Sequence, residues 1–277
     1  MTIEAVQKPS PLRGLGRFGK FAFLGLAVFL TLAPVVWTVI TAMTPSNLET
    51  GAVEFGFGAF IDVFNRIPVW LYTWNSALVT LLIAVGQMLS AAMAGYVFAR
   101  FEFRSKKLLF GLILATMMVP MQVTIVPVFM LIRGMGLADT LLALIIPALP
   151  TAFGTFLMRQ YFLGLPAELA EAAEIDGAGP WRVFFGVYLP LATPGLAIVG
   201  ILAFNYHWNE FFRPLIMTIS EQNFTLPLGL VTLQGNLGTG SVSTVLAGVV
   251  ISMIPALLVF IFGQKPLREG LTAGAGK

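Results

Sequence analysis

The segment LPAELAEAAEIDGAGPWRVFFGVYLP, residues 165–190, carries the strongest pattern in this sequence. Its centre, EAAEIDGAG at residues 171–179, concentrates acids and glycines in a chain that is otherwise mostly apolar. Pro166 suits the first turn of a helix, and Gly177 suits the position just past a helix end, where a positive φ is favoured. A second helix is then expected over Trp181–Leu189. The segment therefore predicts a helix, a tight break and another helix.

The composition of the chain indicates that its natural solvent is lipid. Of its 277 residues, 57% are hydrophobic and 10% are charged, whereas a soluble domain is about a quarter charged. The chain has no cysteine, which excludes disulfides and thiolate metal sites. A single histidine, His207, excludes a multi-histidine metal site. The net charge of +3 is small and does not indicate nucleic-acid binding.

Six uncharged runs each have about the 20 residues needed to cross a 30 Å hydrocarbon core. They are Phe21–Met43, Trp74–Ala99, Leu108–Ile132, Thr140–Met158, Leu191–Asn209 and Thr244–Gln264. We interpret the first run as a retained helix, because it is too long for the apolar region of a signal peptide. The sequence thus predicts an all-α integral membrane protein with six transmembrane helices. Its expected parts are a tail at 1–20, a membrane domain at 21–264 that includes the loop 160–190, and a tail at 265–277.

The positions of lysine and arginine predict the orientation of the chain. With six spans both termini share a side, which also receives the loops around residues 100–107 and 159–190. Only Arg66, Arg133 and Arg213 fall on the other side, and the remaining 13 of the 16 basic residues fall on the side of the termini. This bias predicts that both termini and the acidic loop are cytoplasmic.

The acidic loop resembles the EAA loop of permease subunits of binding-protein-dependent ABC importers. The chain reads Glu171-Ala172-Ala173, three residues, Gly177, nine residues and then Val187-Tyr188-Leu189-Pro190, with Val187 where isoleucine is commoner. Five further stretches are similar to the carbohydrate-importing subfamily, and within it to the second permease subunit of maltose- and glycerol-3-phosphate-type systems. They are MMVPMQVTIVPVF (117–129), GLADT (136–140), HWNEFFRPL (207–215), FTLPLGL (224–230) and GLTAGA (270–275).

The resemblance implies a type I ABC importer permease with the MetI-like fold, in the inner membrane of a bacterium. It also implies that the acidic loop couples the membrane domain to an ATPase subunit. The residues expected to dock are Glu171, Ala172, Ala173, Asp176, Gly177, Leu189 and Pro190. Small residues permit a close approach of another backbone, and acids can pair with basic groups on it. The alternative is a surface helical hairpin whose acids are simply solvated.

The chain has no recognisable nucleotide site of its own. Its C-terminal LTAGAGK ends at Lys277 without the hydroxyl residue of a Walker A loop, and position 271 is Leu rather than Gly. No nucleophile and base are arranged for catalysis, so we expect a non-catalytic subunit that binds no metal or cofactor. The resemblance implies ATP and Mg²⁺ on two partner ATPase subunits, a homologous second permease in a heterodimer, and an external solute-binding protein.

Polar residues inside the spans are candidates for a substrate pathway, because polar groups are costly in lipid. Gln122 in the third span and Asn205 in the fifth both lie roughly 21 Å from the cytoplasmic ends, at 1.5 Å per residue. The cluster in the fifth span continues through Tyr206, Trp208, Asn209 and Glu210. Its hydroxyl, indole, amide and carboxylate groups match the hydrogen bonds and stacking that bind sugars.

Each of these groups also has a structural interpretation. Tyr206 and Trp208 could form an aromatic belt at the outer interface. Glu210 could pair with Arg213 three residues on. The two asparagines of the fifth span could bond to a neighbouring helix.

The function that these features favour is ATP-driven import of a sugar or sugar derivative by alternating access. The same machinery with another cargo, such as a polyol phosphate, a peptide or a polyamine, is an alternative, but such cargoes favour charged residues deep in the spans. An ion-coupled secondary carrier is a more distant alternative, because it calls for an inverted repeat or a buried charge relay. A purely structural membrane protein does not require a loop of this form.

Overall fold

The computed structural model describes residues 11–44, 55–235 and 241–275, and describes side chains only between residues 20 and 264 of these ranges. The described residues form α-helices with short 3₁₀ and π turns and contain no strand. The helices are α1 (Pro11–Ala42), α2 (Gly58–Arg66), α3 (Val69–Arg100), α4 (Lys106–Thr116), α5 (Met121–Gly134), α6 (Leu141–Ile145), α7 (Ala152–Leu163), α8 (Glu168–Ile175), α9 (Pro180–Val183), α10 (Leu189–Leu191), α11 (Thr193–Trp208), α12 (Phe212–Met217), α13 (Leu226–Val231) and α14 (Val242–Ala275).

Three helices are long and apolar enough to cross a membrane without interruption. They contain the segments Lys20–Ala42, Val69–Arg100 and Val242–Gln264. Three bent pairs reach the same length and composition when each pair is taken as one span. The pairs bend by 101° between α4 and α5, by 41° between Leu141–Ala148 and α7, and by 72° between Pro180–Leu191 and α11. By length and composition, the described residues therefore offer up to the six spans that the sequence predicts.

The breaks in the bent pairs lie at prolines. A proline lacks the N–H group of the helical ladder and forces the residue before it out of the helical region. Pro120 has an extended conformation and precedes α5, Pro150 precedes α7, and Pro194 lies in the first turn of α11. The third apolar run, Leu108–Ile132, is therefore divided between α4 and α5 by a 101° bend at Pro120.

The terminal helices extend beyond the predicted membrane domain. Helix α1 begins at Pro11 rather than near residue 21, and α14 continues to Ala275 rather than ending near residue 264. The basic residues next to the first span are good helix formers, so the helix does not have to end where the charges begin. Of the two predicted tails, residues 1–10 and 276–277 lie outside the described residues.

Helix α3 is the centre of the bundle and packs against α7 and α11. Gly95 permits the close approach of α7, because a Cβ atom there would lie 2.8 Å from the backbone nitrogen of Arg159 and 2.7 Å from the Cβ of Met158. Small residues at helix contacts are the usual means of close packing in membranes. Helix α1 differs: its most apolar window has no buried residue, and Phe23 and Trp37 are exposed.

The carboxylate of Asp139 connects two loops by hydrogen bonds, at the end of the bundle opposite to the acidic loop. Asp139 follows α5 and has a positive φ of 58°. Its Oδ1 accepts hydrogen bonds from the backbone amides of Ile219 at 2.8 Å and Ser220 at 2.9 Å, and its Oδ2 accepts one from the Ser220 hydroxyl at 2.5 Å. Asn223 Nδ2 donates to the Asp139 carbonyl at 2.7 Å. These bonds hold the pKa of the Asp139 carboxyl well below its usual range, the Ser220 hydroxyl contributing most.

Replacing Asp139 by asparagine is expected to loosen this link, because the amide keeps the positive φ but loses the charge and cannot accept from every donor. At pH 7 we expect hydrogen exchange at the amides of Ile219 and Ser220 to be at least about tenfold faster in Asp139→Asn. Because the folded-state pKa is depressed, the carboxylate contributes fully above the unfolded pKa of about 4, and its contribution is lost as the pH falls toward the folded pKa. The two proteins should therefore converge well below pH 4.

Exchange rates corrected for intrinsic pH dependence provide the measurement. Asp62→Asn, which removes an exposed carboxylate beside Arg66 on α2, is the matched control and should leave both amides protected. Equal exchange in the parent and Asp139→Asn at pH 7 would show that the backbone alone holds the two loops together.

Candidate functional site

The acidic loop contains a helix with a complete glycine cap. Helix α8 ends at Ile175, and Gly177 has a φ of +82°. The Gly177 amide donates to the Glu174 carbonyl at 3.0 Å, and the Ala178 amide donates to the Ala173 carbonyl at 2.9 Å. This pair of bonds is the Schellman motif, which needs a left-handed residue at the position of the glycine. The structure confirms that Gly177 ends the first helix of the loop.

The two alanines of the EAA stretch face different ways. Ala172 is exposed beside Glu171, whereas Ala173 is half-buried and packs on an apolar cluster that includes Phe162 and Tyr188. Consecutive residues lie about 100° apart around a helix, so Ala173 turns toward the protein where Ala172 turns away from it. Ala173 therefore helps to hold α8 on the membrane domain, and its docking to a partner stays a prediction.

Large apolar side chains lie exposed around the acids of the loop. Ile175 is 86% exposed and Trp181 is 69% exposed. Glu171 and Asp176 are exposed on the same segment. An apolar surface rimmed by charged residues is typical of a protein-contact site, so this arrangement favours docking over simple solvation of the hairpin.

The second half of the loop leads directly into the membrane domain. Helix α9 is followed by a π turn at Phe184–Tyr188, then by α10 and, after a 72° bend, by α11. Leu189 is half-buried against the apolar cluster that supports α8, and Pro190 is exposed in the first turn of α10. The predicted helix over Trp181–Leu189 is thus present with one wider turn. Such π turns often occur at functional sites.

Arg100 joins the loop to two helices of the bundle. Its Nη2 donates to the carbonyls of Phe162 and Leu165, both at 2.6 Å, at the end of α7. Its guanidinium carbon lies 4.6 Å from the ring centre of Tyr188, a residue of the π turn that is 1% exposed. From the sequence, Arg100 is only one of the cations expected on the cytoplasmic side. A single sequence holds no signal for its contacts, because they reach residues 62 and 65 positions away.

A mainly apolar groove with a few polar groups runs between α11 and the bent pair that contains α7. We call it the central groove, and its volume is about 640 Å³. Its polar lining residues are Gln87, Thr151, Asn205, Tyr206, His207 and Arg213, and most of its other lining residues are apolar. A few polar groups in an apolar cleft are typical of small-molecule sites.

A buried ion pair forms one end of the central groove. Arg213 Nε donates to Glu210 Oε1 at 2.9 Å, and Arg213 Nη2 contacts Glu210 Oε2. Arg213 Nη1 donates to the Leu144 carbonyl at 2.9 Å. The side chains of Glu210 and Arg213 are only 8% and 7% exposed. The bidentate geometry and the added carbonyl compensate part of the cost of burying both charges.

His207 connects this ion pair to the middle of α3. Gln87 Nε2 lies 3.1 Å from His207 Nε2 and also donates to the Ala148 carbonyl at 2.8 Å. Because Gln87 Nε2 supplies a donor, His207 Nε2 accepts from it. His207 Nδ1 lies 2.7 Å from Glu210 Oε2 and 2.9 Å from Arg213 Nη2, so the imidazole contacts both members of the ion pair. The role of Gln87 was missed, although an amide inside an apolar run signals it.

The predicted pathway residues separate into several environments. Asn205 and Tyr206 line the central groove and are exposed. Gln122 is exposed at the start of α5, beside the lining residue Met121 but not itself in the lining. Asn209 lines a groove between α11 and α14, which Asn205 also borders, and its Nδ2 donates to the Asn205 carbonyl at 2.8 Å.

Two further residues of the predicted cluster, besides Asn209, do not line the central groove. Trp208 is 2% exposed, stacks on Phe204 and donates its indole N–H to the Ser252 carbonyl at 2.9 Å. It is a core residue, so it neither lines the groove nor lies in an aromatic belt at the membrane interface. Glu210 does not line the groove but contacts Arg213 and His207, which do. The Glu210–Arg213 pair is the structural alternative that the sequence offered for Glu210.

Comparisons with known proteins agree with these features. Residues 88–265 match the family model described as binding-protein-dependent transport system inner membrane component. The chain is 34% identical to the arabinooligosaccharides transport system permease protein AraQ of Halalkalibacterium halodurans, over 98% of this chain and 99% of that one. It is 32% identical to the lactose transport system permease protein LacG of Rhizobium radiobacter, over 91% of this chain and 93% of that one.

Two further proteins are similar. The sn-glycerol-3-phosphate transport system permease protein UgpE of Pectobacterium atrosepticum is 35% identical over 75% of this chain and 74% of its own. A chain from the crystal structure of a bacterial ABC transporter that imports the acidic polysaccharide alginate matches with a TM-score of 0.81 at 24% identity, over 94% of this chain and 99% of that one. This likeness in fold confirms the all-α membrane architecture predicted from the sequence.

Proposed function

This chain belongs to the family of inner membrane components of binding-protein-dependent transport systems, and from that premise we propose that it is the permease subunit through which an ABC importer passes a sugar. The observation that carries the proposal is the capped EAA loop, whose exposed acids and apolar side chains lie at one end of a bundle with a polar groove. As a transport permease the chain is a multi-pass membrane protein and not an enzyme.

The chemistry of the central groove supports a neutral cargo. Asn205 offers an amide and Tyr206 a hydroxyl and an aromatic face, the groups that bind sugar hydroxyls. Among the described residues of the lining, Arg213 alone carries a permanent charge, and it is already paired with Glu210. A phosphorylated cargo, as in the name of the glycerol-3-phosphate relative, would have to break that pair. The names of the arabinooligosaccharide and lactose relatives also favour a sugar.

The proposed assembly contains four further components. Two ATPase subunits bind ATP and Mg²⁺ and receive one permease loop each, with Glu171 and Asp176 toward basic groups on the ATPase. A homologous second permease encloses the pathway with this chain in a heterodimer, and an external solute-binding protein delivers the sugar. The loop and both chain termini face the cytoplasm, as the distribution of basic residues favours. This chain itself holds no cofactor.

Coupling would proceed through the joint at Arg100. When α8 moves with the ATPase, the movement reaches the π turn that contains Tyr188. Arg100 of α3 contacts Tyr188 and the end of α7, and it transmits the movement to α3 and α7. The 72° bend before α11 lets the loop turn while α11 keeps its place beside the groove. Rigid-body rotation of packed helices about such joints opens the groove to one side at a time.

The experiment that tests this function is reconstitution of the permease pair with the ATPase and solute-binding subunits in vesicles. The expected result is ATP hydrolysis that rises with loaded binding protein, together with uptake of one member of a panel of neutral sugars. Uptake of glycerol 3-phosphate in place of every neutral sugar would overturn the cargo. Uptake driven by an ion gradient without ATP would overturn the importer itself.

Asn205→Ala is expected to lower sugar uptake several-fold, because one hydrogen bond to a hydroxyl is worth about 1 kcal/mol. Asn209→Ala is the matched control: it has the same residue type one turn along α11 and shares the groove beside α14 with Asn205, but it does not line the central groove. Uptake is measured at a sugar concentration below half-saturation, and complex yield and basal ATPase activity are measured alongside. If Asn209→Ala lowers uptake as much as Asn205→Ala, the pathway does not run through the central groove.

A further inference from the structure

A strongly basic groove lies between the start of α4 and the middle of α7, and its lining shares no residue with that of the central groove. We call it the basic groove, and its volume is about 690 Å³. Four cations line it, namely Arg104, Lys106, Lys107 and Arg159. Glu102 is the single carboxylate among its lining residues. The groove therefore has a net positive charge at neutral pH.

Two of the cations are held in fixed positions by the fold. Arg159 donates its Nε to the Phe98 carbonyl at 3.1 Å, and its guanidinium carbon lies 4.4 Å from the ring centre of Phe110. Lys106 Nζ lies 2.7 Å from Glu102 Oε1, and its side chain is only 13% exposed. Cations placed this way are more ordered than loop lysines in water, since stacking and burial restrict their rotamers.

The other wall of the groove is apolar and continues along α4. Phe110, Gly111 and Leu114 follow the cations as lining residues. On the same helix Leu108 is 67% exposed and Leu112 is 55% exposed, and no residue of α4 is buried. Helix α4 begins one of the candidate spans, so its first turn lies where the bilayer meets water. The groove thus presents cations at the headgroup level and an apolar surface directly beside them.

We propose that the basic groove binds the phosphate-bearing headgroup of an anionic phospholipid, whose acyl chains lie along the apolar side of α4. A free phosphate would match the cations alone, whereas a lipid matches the cations and the apolar wall together. Zwitterionic lipid carries the phosphate too, but the positively charged ammonium group of its headgroup would face the four cations of the groove. The proposal does not depend on the cargo of the transporter.

The test is native mass spectrometry of the purified full-length chain in non-ionic detergent, titrated with phosphatidylglycerol or phosphatidylcholine. The variant is Arg104→Gln with Lys107→Gln, two exposed cations of the groove. The matched control is Lys20→Gln with Arg182→Gln, an equal loss of exposed cations outside the groove. Each cation near an anionic lipid is worth about 1 kcal/mol, so we expect the groove variant to bind phosphatidylglycerol at least about tenfold more weakly.

The expected pattern is a preference of the parent and the control for phosphatidylglycerol over phosphatidylcholine, which the groove variant loses. Inorganic phosphate at millimolar concentration should not displace the lipid. Three results would overturn the proposal: equal binding of both lipids by the parent, equal loss in the groove variant and the control, or displacement of the lipid by inorganic phosphate alone. Thermal unfolding of each variant distinguishes lost binding from lost folding.

Discussion

The Arg213→Leu variant is expected to be less stable than the parent by about 3–5 kcal/mol, because it leaves Glu210 as a buried charge without its partner. Glu210 is 8% exposed, and Arg213 supplies its bidentate contact. The Leu144 carbonyl loses its donor in the same change. Thermal unfolding of the purified full-length chain in detergent measures the effect. Sugar uptake should fall with it, since Arg213 also lines the central groove.

Two control variants test whether the loss of stability comes from the unpaired charge of Glu210. Removing both charges, in Glu210→Leu with Arg213→Leu, should recover most of the stability, because an apolar pair often replaces a buried ion pair without cost. Arg133→Leu removes an exposed arginine expected on the same side of the membrane and should change stability little. If the double variant is as unstable as Arg213→Leu, packing of the arginine stem rather than its charge stabilises this end of the groove.

The membrane-spanning plan was predictable because hydropathy is a local property of the sequence. Each of the six apolar runs falls on a helix or on a bent pair of helices. The size of the bends was not predictable: Pro120 precedes a 101° bend, whereas Pro127 and Pro255 lie inside helices. A proline removes one hydrogen bond wherever it occurs, but the packing of neighbouring helices decides whether the helix bends there.

The helix, break and second helix of the acidic loop were predictable because they too depend on residues that are close together in the sequence. The Schellman cap joins Ala173, Glu174, Gly177 and Ala178, which are at most five residues apart. Its support by Arg100 was not predictable, because the bonds from Arg100 reach carbonyls 62 and 65 residues away. Spacing along the chain carries no information about contacts of that range when only one sequence is known.

The central groove was predicted in part, and the errors have a common cause. Asn205, Tyr206 and Trp208 lie within four residues, but a helix turns by about 100° per residue and sends them to different surroundings. Trp208 reaches the Ser252 carbonyl in the core, and the other two line the groove. The partner of His207 on α3, Gln87, is 120 residues away. The residue types of the fifth span therefore indicated that this segment is polar, but they did not indicate which face of the helix lines the groove.

Gly177→Val is expected to abolish most coupled transport while the membrane bundle stays folded. The φ of +82° at this position costs a residue with a side chain about 1–2 kcal/mol, and a β-branched residue tolerates it worst. No atom lies within 4 Å of the Cβ that would be added, so the effect arises from the backbone and not from a clash. Loss of the cap lets the end of α8 unwind and displaces Glu171 and Ile175 from their docking positions. Uptake and stimulation of ATP hydrolysis by loaded binding protein are the measurements, with an expected fall of at least about tenfold.

Two nearby substitutions separate the left-handed conformation from the mere presence of a side chain. Gly177→Asn should retain much of the activity, because asparagine tolerates a positive φ. Gly179→Val adds the same side chain two residues on, where φ is −74° and no atom lies within 4 Å of the added Cβ, and it should remain coupled. The thermal unfolding temperature should be nearly the same for all three variants, because α8 adds little buried surface to the bundle. Stimulation of Gly177→Val to the parent level would mean that the cap does not hold the loop in its docking shape, and transmission would then depend on the Arg100–Tyr188 joint alone.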